Sequence, residues 1–160
     1  MAKFILEDGT PARQHRPRLA ELLSTTTGII RVATAYVTDR HLLSAVSKRE
    51  TRLLTSLAPM DVAPGATLLQ TLDAPMGVGI KCRVLPQRPR LHAKVYLGGS
   101  SHPVVTSANL TGNAFDSNIE VGVTIAGSDT KRLSDWFDGL WDIATPLTTD
   151  DLTDLAGREG

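Results

Sequence analysis

Cysteine is almost absent from this chain of 160 residues: Cys82 is the single copy, so no internal disulfide framework can hold the fold. Aromatic residues are scarce as well, at 4%. Aliphatic side chains must therefore fill most of a core that a hydrophobic content of 41% is large enough to build. No stretch approaches the roughly 18 apolar residues of a membrane span. The first residues run Phe4-Ile5-Leu6 straight into the acids Glu7 and Asp8, unlike a secretory signal. A soluble, cytoplasmic protein without stable membrane association is the expectation. Internal repeats, low-complexity tracts and metal-ligand clusters are missing too. His15, His41 and His102 are scattered, with surface or turn positions expected for each, and neither a metal nor another cofactor is predicted.

Charge of one sign is missing over a long interval. The formal net charge is zero, which argues against a uniformly basic nucleic-acid binder. Yet no Asp or Glu occurs from Ala74 through Phe115, where Lys81, Arg83, Arg88, Arg90 and Lys94 give +5. From Asp116 onward ten acids face three bases, a balance of −7. A positive patch with an acidic tail elsewhere suits an anionic substrate; ordinary charge scatter is the bland alternative.

The hydrophobic pattern predicts a helix over Arg18–Leu23, a buried strand over Gly28–Val37, and a helix capped by Thr38 or Asp39 that carries Leu42, Leu43 and Val46. A second strand follows from Arg52 to Leu57, then a loop marked by Pro59, Pro64 and Gly65, a helix over Ala66–Leu72, and a third strand over Lys81–Leu85 with Cys82 buried in it. His92–Leu97 and Val104–Ala108 read as strands four and five, joined by a turn over 98–101, with Asn118–Ile125 as strand six. Leu133, Trp136, Phe137, Leu140 and Trp141 recur at one helical face, which predicts core packing for both tryptophans. The whole is an α/β chain with a mixed sheet sandwiched between helices, one domain over 1–147 and an acidic C-terminal tail over 148–160 that frays.

The richest segment is 92–120. His92 and Lys94 lie two apart, so on a strand both point to one face; Ser107 and Asn109 repeat the relation, and Glu120 follows. A neutral imidazole is a competent nucleophile toward phosphorus, and a second, protonated imidazole can give its proton to the leaving oxygen. Lysine and asparagine supply donors for the non-bridging oxygens. A carboxylate can fix the tautomer of the histidine. Arg88 and Arg90, just before His92, are either contacts to a phosphate backbone or solvated loop charges. Asn109-Leu110-Thr111 is formally a glycosylation sequon, idle without secretion.

The segment resembles the catalytic motif of the phospholipase D superfamily, His-x-Lys-x4-Asp-x6-Gly-Ser-x-Asn. His92, Lys94, Ser107 and Asn109 match in type and spacing, and Glu120 matches the glutamate that follows in the family's small nucleases. Two positions depart: Gly99 stands where the motif has aspartate, and Thr106 where it has glycine. Residues 31–39 resemble the first core strand, with Tyr36 facing the site, and the Trp136–Trp141 stretch resembles the closing helix. The resemblance implies a phospholipase D-like α/β/α sandwich and a metal-independent phosphodiesterase. Because the chain carries one motif copy where the site uses two, it also implies a homodimer with His92 from each subunit. His92, Lys94, Ser107, Asn109 and Glu120 are the candidate catalytic residues, and Tyr36, Arg88, Arg90 and Thr111 the candidate substrate contacts. An endonuclease acting on DNA, or RNA, is the leading reading. The alternatives are a phospholipid phosphodiesterase acting on a lipid such as cardiolipin, and a weakly catalytic nucleic-acid-binding subunit working beside larger partners in a defence or restriction complex.

Overall fold

The computed structural model describes residues 3–25, 27–42, 49–56, 80–99 and 102–158. In chain order these hold β1 (Phe4–Glu7), α1 (His15–Thr25), β2 (Ile30–Ala33), β3 (Thr51–Thr55), β4 (Lys81–Val84), β5 (Val95–Leu97) and β6 (Val104–Thr106). There follow α2 (Gly112–Asp116), β7 (Glu120–Thr124), α3 (Ser128–Ile143), β8 (Thr145–Leu147) and α4 (Thr149–Arg158). The strands form one mixed sheet in the order β1-β7-β6-β5-β2-β3-β4-β8. β2, β3 and β4 are mutually parallel, and every other pairing is antiparallel.

β2 and β3 sit mid-sheet and are covered on both faces, which is why they read as nearly continuous apolar runs. Alternate residues of the strands enter two separate cores. On one face Val32, Leu53, Cys82 and Tyr96 pack against Leu19, Leu22 and Leu23 of α1, Phe115 of α2 and Leu152 of α4. On the other, Ala33, Leu54, Val95 and Leu97 pack against Phe137 and Trp141 of α3. The expected sandwich of a mixed sheet between helices is what the chain builds. Cys82 is buried as expected, and burial pushes its thiol up to about 12.

α3 begins after Gly127, whose φ of 67° suits glycine, and carries Asp129 in its first turn, where a carboxylate complements the helix dipole. Phe137 and Trp141 stack with ring centroids 6.0 Å apart, and the Arg83 guanidinium lies 4.6 Å from the Trp141 centroid. Phe137 is fully buried. Phe137→Ala is therefore expected to cost about 3–5 kcal/mol in chemical denaturation, the usual penalty for emptying a buried aromatic site.

Several expectations need correction. Trp136, at 38% exposed, is not in the core; it stands at the margin of the apolar stripe and lines an open groove with Val105 and Ile125. His15 is fully buried rather than at the surface, because Glu7 of β1 and Thr106 of β6 satisfy its two ring nitrogens. Strand four begins at Val95, not His92, although Lys94 O still accepts from Thr106 N at 3.1 Å. The strand expected over 28–37 stops at Ala33, with Val37 making an isolated bridge to Leu110. Where a fraying tail was expected from Thr148, Thr149–Arg158 forms α4. Thr148 and Asp151 cap α4 reciprocally, and Leu152 is buried. β1, α2 and β8 were not anticipated. Asp39 Oδ1 accepts from Leu42 N at 3.0 Å, as a helix cap would. The expectations for Leu43, Val46, the 59–65 loop and the 66–72 helix lie outside the described residues.

Candidate active site

Strand register decides which ends meet. Ala33 pairs with Val95, Val95 with Val105, Thr106 with Gly122, and Glu120 with Glu7. The carboxyl ends of β2, β6 and β1 therefore share one sheet edge with the amino ends of β5 and β7. That edge collects the segments carrying Thr34–Tyr36, His92–Lys94, Ser107–Asn109 and Glu120. It lies beyond the carboxyl end of the central parallel strands, where open α/β sheets place their ligands.

His92 is exposed at the end of the segment that leads into β5. Lys94 is 8% exposed, and its Nζ lies 3.3 Å from His92 Nδ1 and 3.4 Å from Nε2. The two side chains thus share one side as the spacing predicted, although the strand proper starts after them. Burial holds the Lys94 ammonium below its ordinary range; the Glu120 carboxylate opposes this shift and the Arg90 charge adds to it. An arriving anion would favour the charged form.

The other groups close the edge. Ser107 Oγ donates to Glu120 Oε2 and accepts from Val121 N at 3.1 Å. Asn118 Nδ2 donates to Glu120 Oε1 at 3.4 Å. Glu120 was expected to orient the histidine; here it holds Ser107 and Asn118 instead. Asn109 Oδ1 accepts from Thr34 Oγ1 at 3.3 Å and from Tyr36 N at 3.4 Å, which turns the amide nitrogen the other way. The Tyr36 hydroxyl accepts from Arg90 at 2.7 Å, and the Arg90 guanidinium lies 5.8 Å from the centroid of the same ring.

Other predicted residues are spread elsewhere. Thr111 caps α2, its Oγ1 accepting from Ala114 N at 3.2 Å. Arg88 stands exposed on the loop before His92. Lys81 and Arg83 are on β4, three strands from β5, and Arg83 donates to Trp141 O at 2.7 Å. The run of five positive charges is therefore not one patch; Arg90 and Lys94 are its members at the edge. Gly99, the position of the missing motif aspartate, follows the opposite end of β5 from His92. Sequence reading missed Thr34, whose one hydroxyl proton is shared between Tyr36 O at 3.0 Å and Asn109 Oδ1 at 3.3 Å, and whose oxygen accepts from Leu110 N at 3.1 Å. A threonine closing a buried strand carries no distinguishing signal. Beside His92 an apolar groove of about 380 Å³ is lined by Leu85, Pro86, Leu91, Trp136, Leu140 and Ile143. Among the described residues no cluster of three or more His, Cys, Asp or Glu side chains could hold a metal.

Beneath this edge an ion-pair layer joins α1 to the chain around α2. Arg16 bonds Asp39 at 2.7 Å and Asp116 at 2.8 Å, and Arg13 pairs with Glu7 at 2.8 Å. Burial alone would raise the Glu7 carboxyl, but the N–H groups of His15 and Gln14, the His15 ring and Arg13 outweigh it and hold Glu7 below its ordinary 4.5. The hydrogen bond from Arg16 lowers Asp116 in the same sense. A depressed carboxylate stabilises the fold above its unfolded value, and that stability is lost as pH falls through the folded value. The melting temperature is therefore expected to drop from about pH 5 to about pH 2, and Glu7→Gln to flatten that slope.

A family model described as "Cardiolipin synthase, PLD-like domain" matches residues 19–141. The chain belongs to this phospholipase D-like family, whose fold is that of phosphodiesterases. Among solved structures it is similar to Nuc, a phospholipase D family member from Salmonella typhimurium, with a TM-score of 0.78 at 14% identity, covering 92% of this chain and 97% of that one. NucT from Helicobacter pylori gives 0.73 at 14% identity, with 92% and 99% covered. The phosphatidylserine synthase of Haemophilus influenzae Rd KW20 gives 0.69 at 11%, with 98% of this chain but 44% of that one. No curated protein matches. Among the described residues no helix is long and apolar enough to cross a membrane.

Proposed function

We propose that this chain is a metal-independent endonuclease, acting on DNA before RNA through a covalent phosphohistidine in a site shared by two copies. The observation that carries the reading is the exposed His92 imidazole with both ring nitrogens within 3.4 Å of Lys94 Nζ, beside Asn109 and the Ser107–Glu120 pair. A neutral His92 attacks phosphorus: a P–N bond forms, the P–O bond to the leaving strand breaks, and His92 of the partner subunit gives that oxygen its proton. The partner's His92 then takes a proton from water, the water oxygen bonds to phosphorus, and the P–N bond breaks to free His92. Lys94, the Asn109 amide nitrogen and Arg90 hold the non-bridging oxygens, whose charge is redistributed in the transition state. Ser107 and Glu120 brace the turn that presents Asn109.

Two imidazoles per reaction require two copies, since one chain brings one His92 to this edge. An uncovered apolar strip supports such an association. Phe4 and Leu6 of β1, Val121 of β7 and the neighbouring Ile119 are at least half exposed, and Ile119 and Val121 flank Glu120. The open, charged edge suits a polymeric phosphodiester, and the chain spans nearly all of Nuc and NucT. A second reading, a phospholipid diesterase, is favoured by the apolar groove beside His92, which could take an acyl or glyceride moiety. Labelled single- and double-stranded DNA, RNA and cardiolipin vesicles, each incubated in EDTA, test both. DNA cleavage in the chelator supports the nuclease. Vesicle turnover without nucleic-acid cleavage replaces it with the lipid reading, and salt-sensitive DNA binding without any turnover reduces the chain to a binding subunit.

A further inference from the structure

Beneath the Ser107–Asn109 turn lies a buried polar chain that the proposed chemistry does not use. Glu7, at the end of β1, has its carboxyl fully buried. Its Oε1 accepts from the backbone N–H groups of Gln14 and His15, both at 2.6 Å, and lies 3.1 Å from His15 Nδ1. The other ring nitrogen, Nε2, lies 2.7 Å from Thr106 Oγ1. Thr106 Oγ1 in turn accepts from Ala108 N at 3.1 Å and lies 3.1 Å from Val121 O. Ala108 is the residue between Ser107 and Asn109, and Val121 the residue after Glu120. Arg13 closes the other end: paired with Glu7, it donates to Phe115 O and Asn118 O, both at 2.8 Å, on the segment that leads into Glu120.

We propose that Glu7, His15 and Thr106 are positioning residues, a buried relay that fixes the backbone of the Ser107–Asn109 turn and of Glu120 against α1. The functional part of this inference rests on the phosphodiesterase reading. Thr106 is the side chain that stands where the resembled motif has glycine, and the structure shows what makes room for it. Thr106 pairs across the sheet with Gly122, where a Cβ would lie 2.9 Å from His15 Nε2 and 3.0 Å from Thr106 Oγ1. The missing side chain at 122 admits the extra one at 106 and the imidazole together. Proton counting shows the relay to be robust. With His15 neutral and its Nδ1–H on Glu7, Nε2 accepts the Thr106 proton. With His15 doubly protonated, Nε2–H donates to Oγ1 and the Thr106 proton turns to Val121 O. In both states Oγ1 still accepts the Ala108 N–H.

Thr106→Val keeps the shape and deletes the hydroxyl, while Thr106→Ser keeps the hydroxyl. In T106V, amide exchange at Ala108 read by NMR is expected to accelerate at least about tenfold. Its kcat on a labelled DNA oligonucleotide is expected to fall about tenfold or more with KM changed less than about threefold, since displacing donors harms the transition state more than ground-state binding. T106S is expected to restore both. T106V with wild-type exchange and kcat overturns the proposal, as does an equal loss in T106V and T106S, which would show that the hydroxyl kept in T106S is not what holds the turn. Should T106V fail to fold, His15→Gln beside T106S carries the test: H15Q with wild-type exchange and kcat overturns the relay, and loss of both at unchanged KM supports it. A wild-type chain without turnover on any phosphodiester refutes the proposed function instead, and the Ala108 exchange then decides the positioning by itself.

Discussion

His92→Ala is expected to lower DNA cleavage in EDTA by roughly 10³-fold or more, the scale of removing a nucleophile or a general acid. The variant should fold normally, because His92 is exposed before β5 and belongs to neither core. Mixing tests the shared site more sharply. If each reaction uses His92 from both copies, then wild-type and H92A chains, unfolded and refolded together in equal amounts, retain about a quarter of the activity of the wild type, because about a quarter of random pairs carry two imidazoles. A retained half would mean that each copy works with its own histidine, and the two-copy mechanism would fail. Cleavage that survives in pure H92A would remove His92 from the chemistry.

The second large effect concerns the motif position that this chain lacks. Gly99→Asp, which restores the aspartate of the resembled motif, is expected to harm the protein rather than improve it. A Cβ at Gly99 would lie 1.8 Å from Thr27 O and 2.9 Å from Thr27 C, backbone atoms that cannot swing aside. Gly28, whose φ of 86° suits glycine, carries the chain past Gly99 with the two Cα atoms close enough that an added Cβ on Gly28 would meet Gly99 Cα at 3.9 Å. Opening this contact would cost about 3 kcal/mol as an overpacking penalty, or about 10 °C in melting temperature for a domain of this size. No gain in kcat is expected, because Gly99 and His92 follow and precede opposite ends of β5. An unchanged melting temperature together with faster cleavage would show that the aspartate is missed and that the Thr27 contact yields.

Much of the edge was legible before any coordinates. Two residues that alternate point to one side whether or not the strand has formally begun, so His92 and Lys94 stayed together when β5 proved to start at Val95. The repeated helical stripe located α3, since periodic burial is a local property. It could not separate Trp141 from Trp136, because which residues of one stripe end up covered depends on distant parts of the chain. The same limit explains the charge run: Arg83 and Arg90 are seven residues apart in the chain, yet β2 and β3 come between β4 and β5. His15 looked like a stray polar residue. Its partners Glu7 and Thr106 come from two other elements, and nothing in its immediate neighbours announces them.

By itself, then, the sequence determined the class of fold, the helix and strand periods, and the group of candidate residues between His92 and Glu120, because these follow from spacing and residue type. The tertiary structure alone decided which sheet edge collects them, that Glu120 holds Ser107 and Asn118, that Gly99 is closed by Thr27, and that Thr106 has a buried imidazole behind it. Those outcomes depend on strand register and on contacts between residues far apart in the chain, 91 positions in the bond between His15 and Thr106. Local propensity has no means of encoding such contacts one residue at a time.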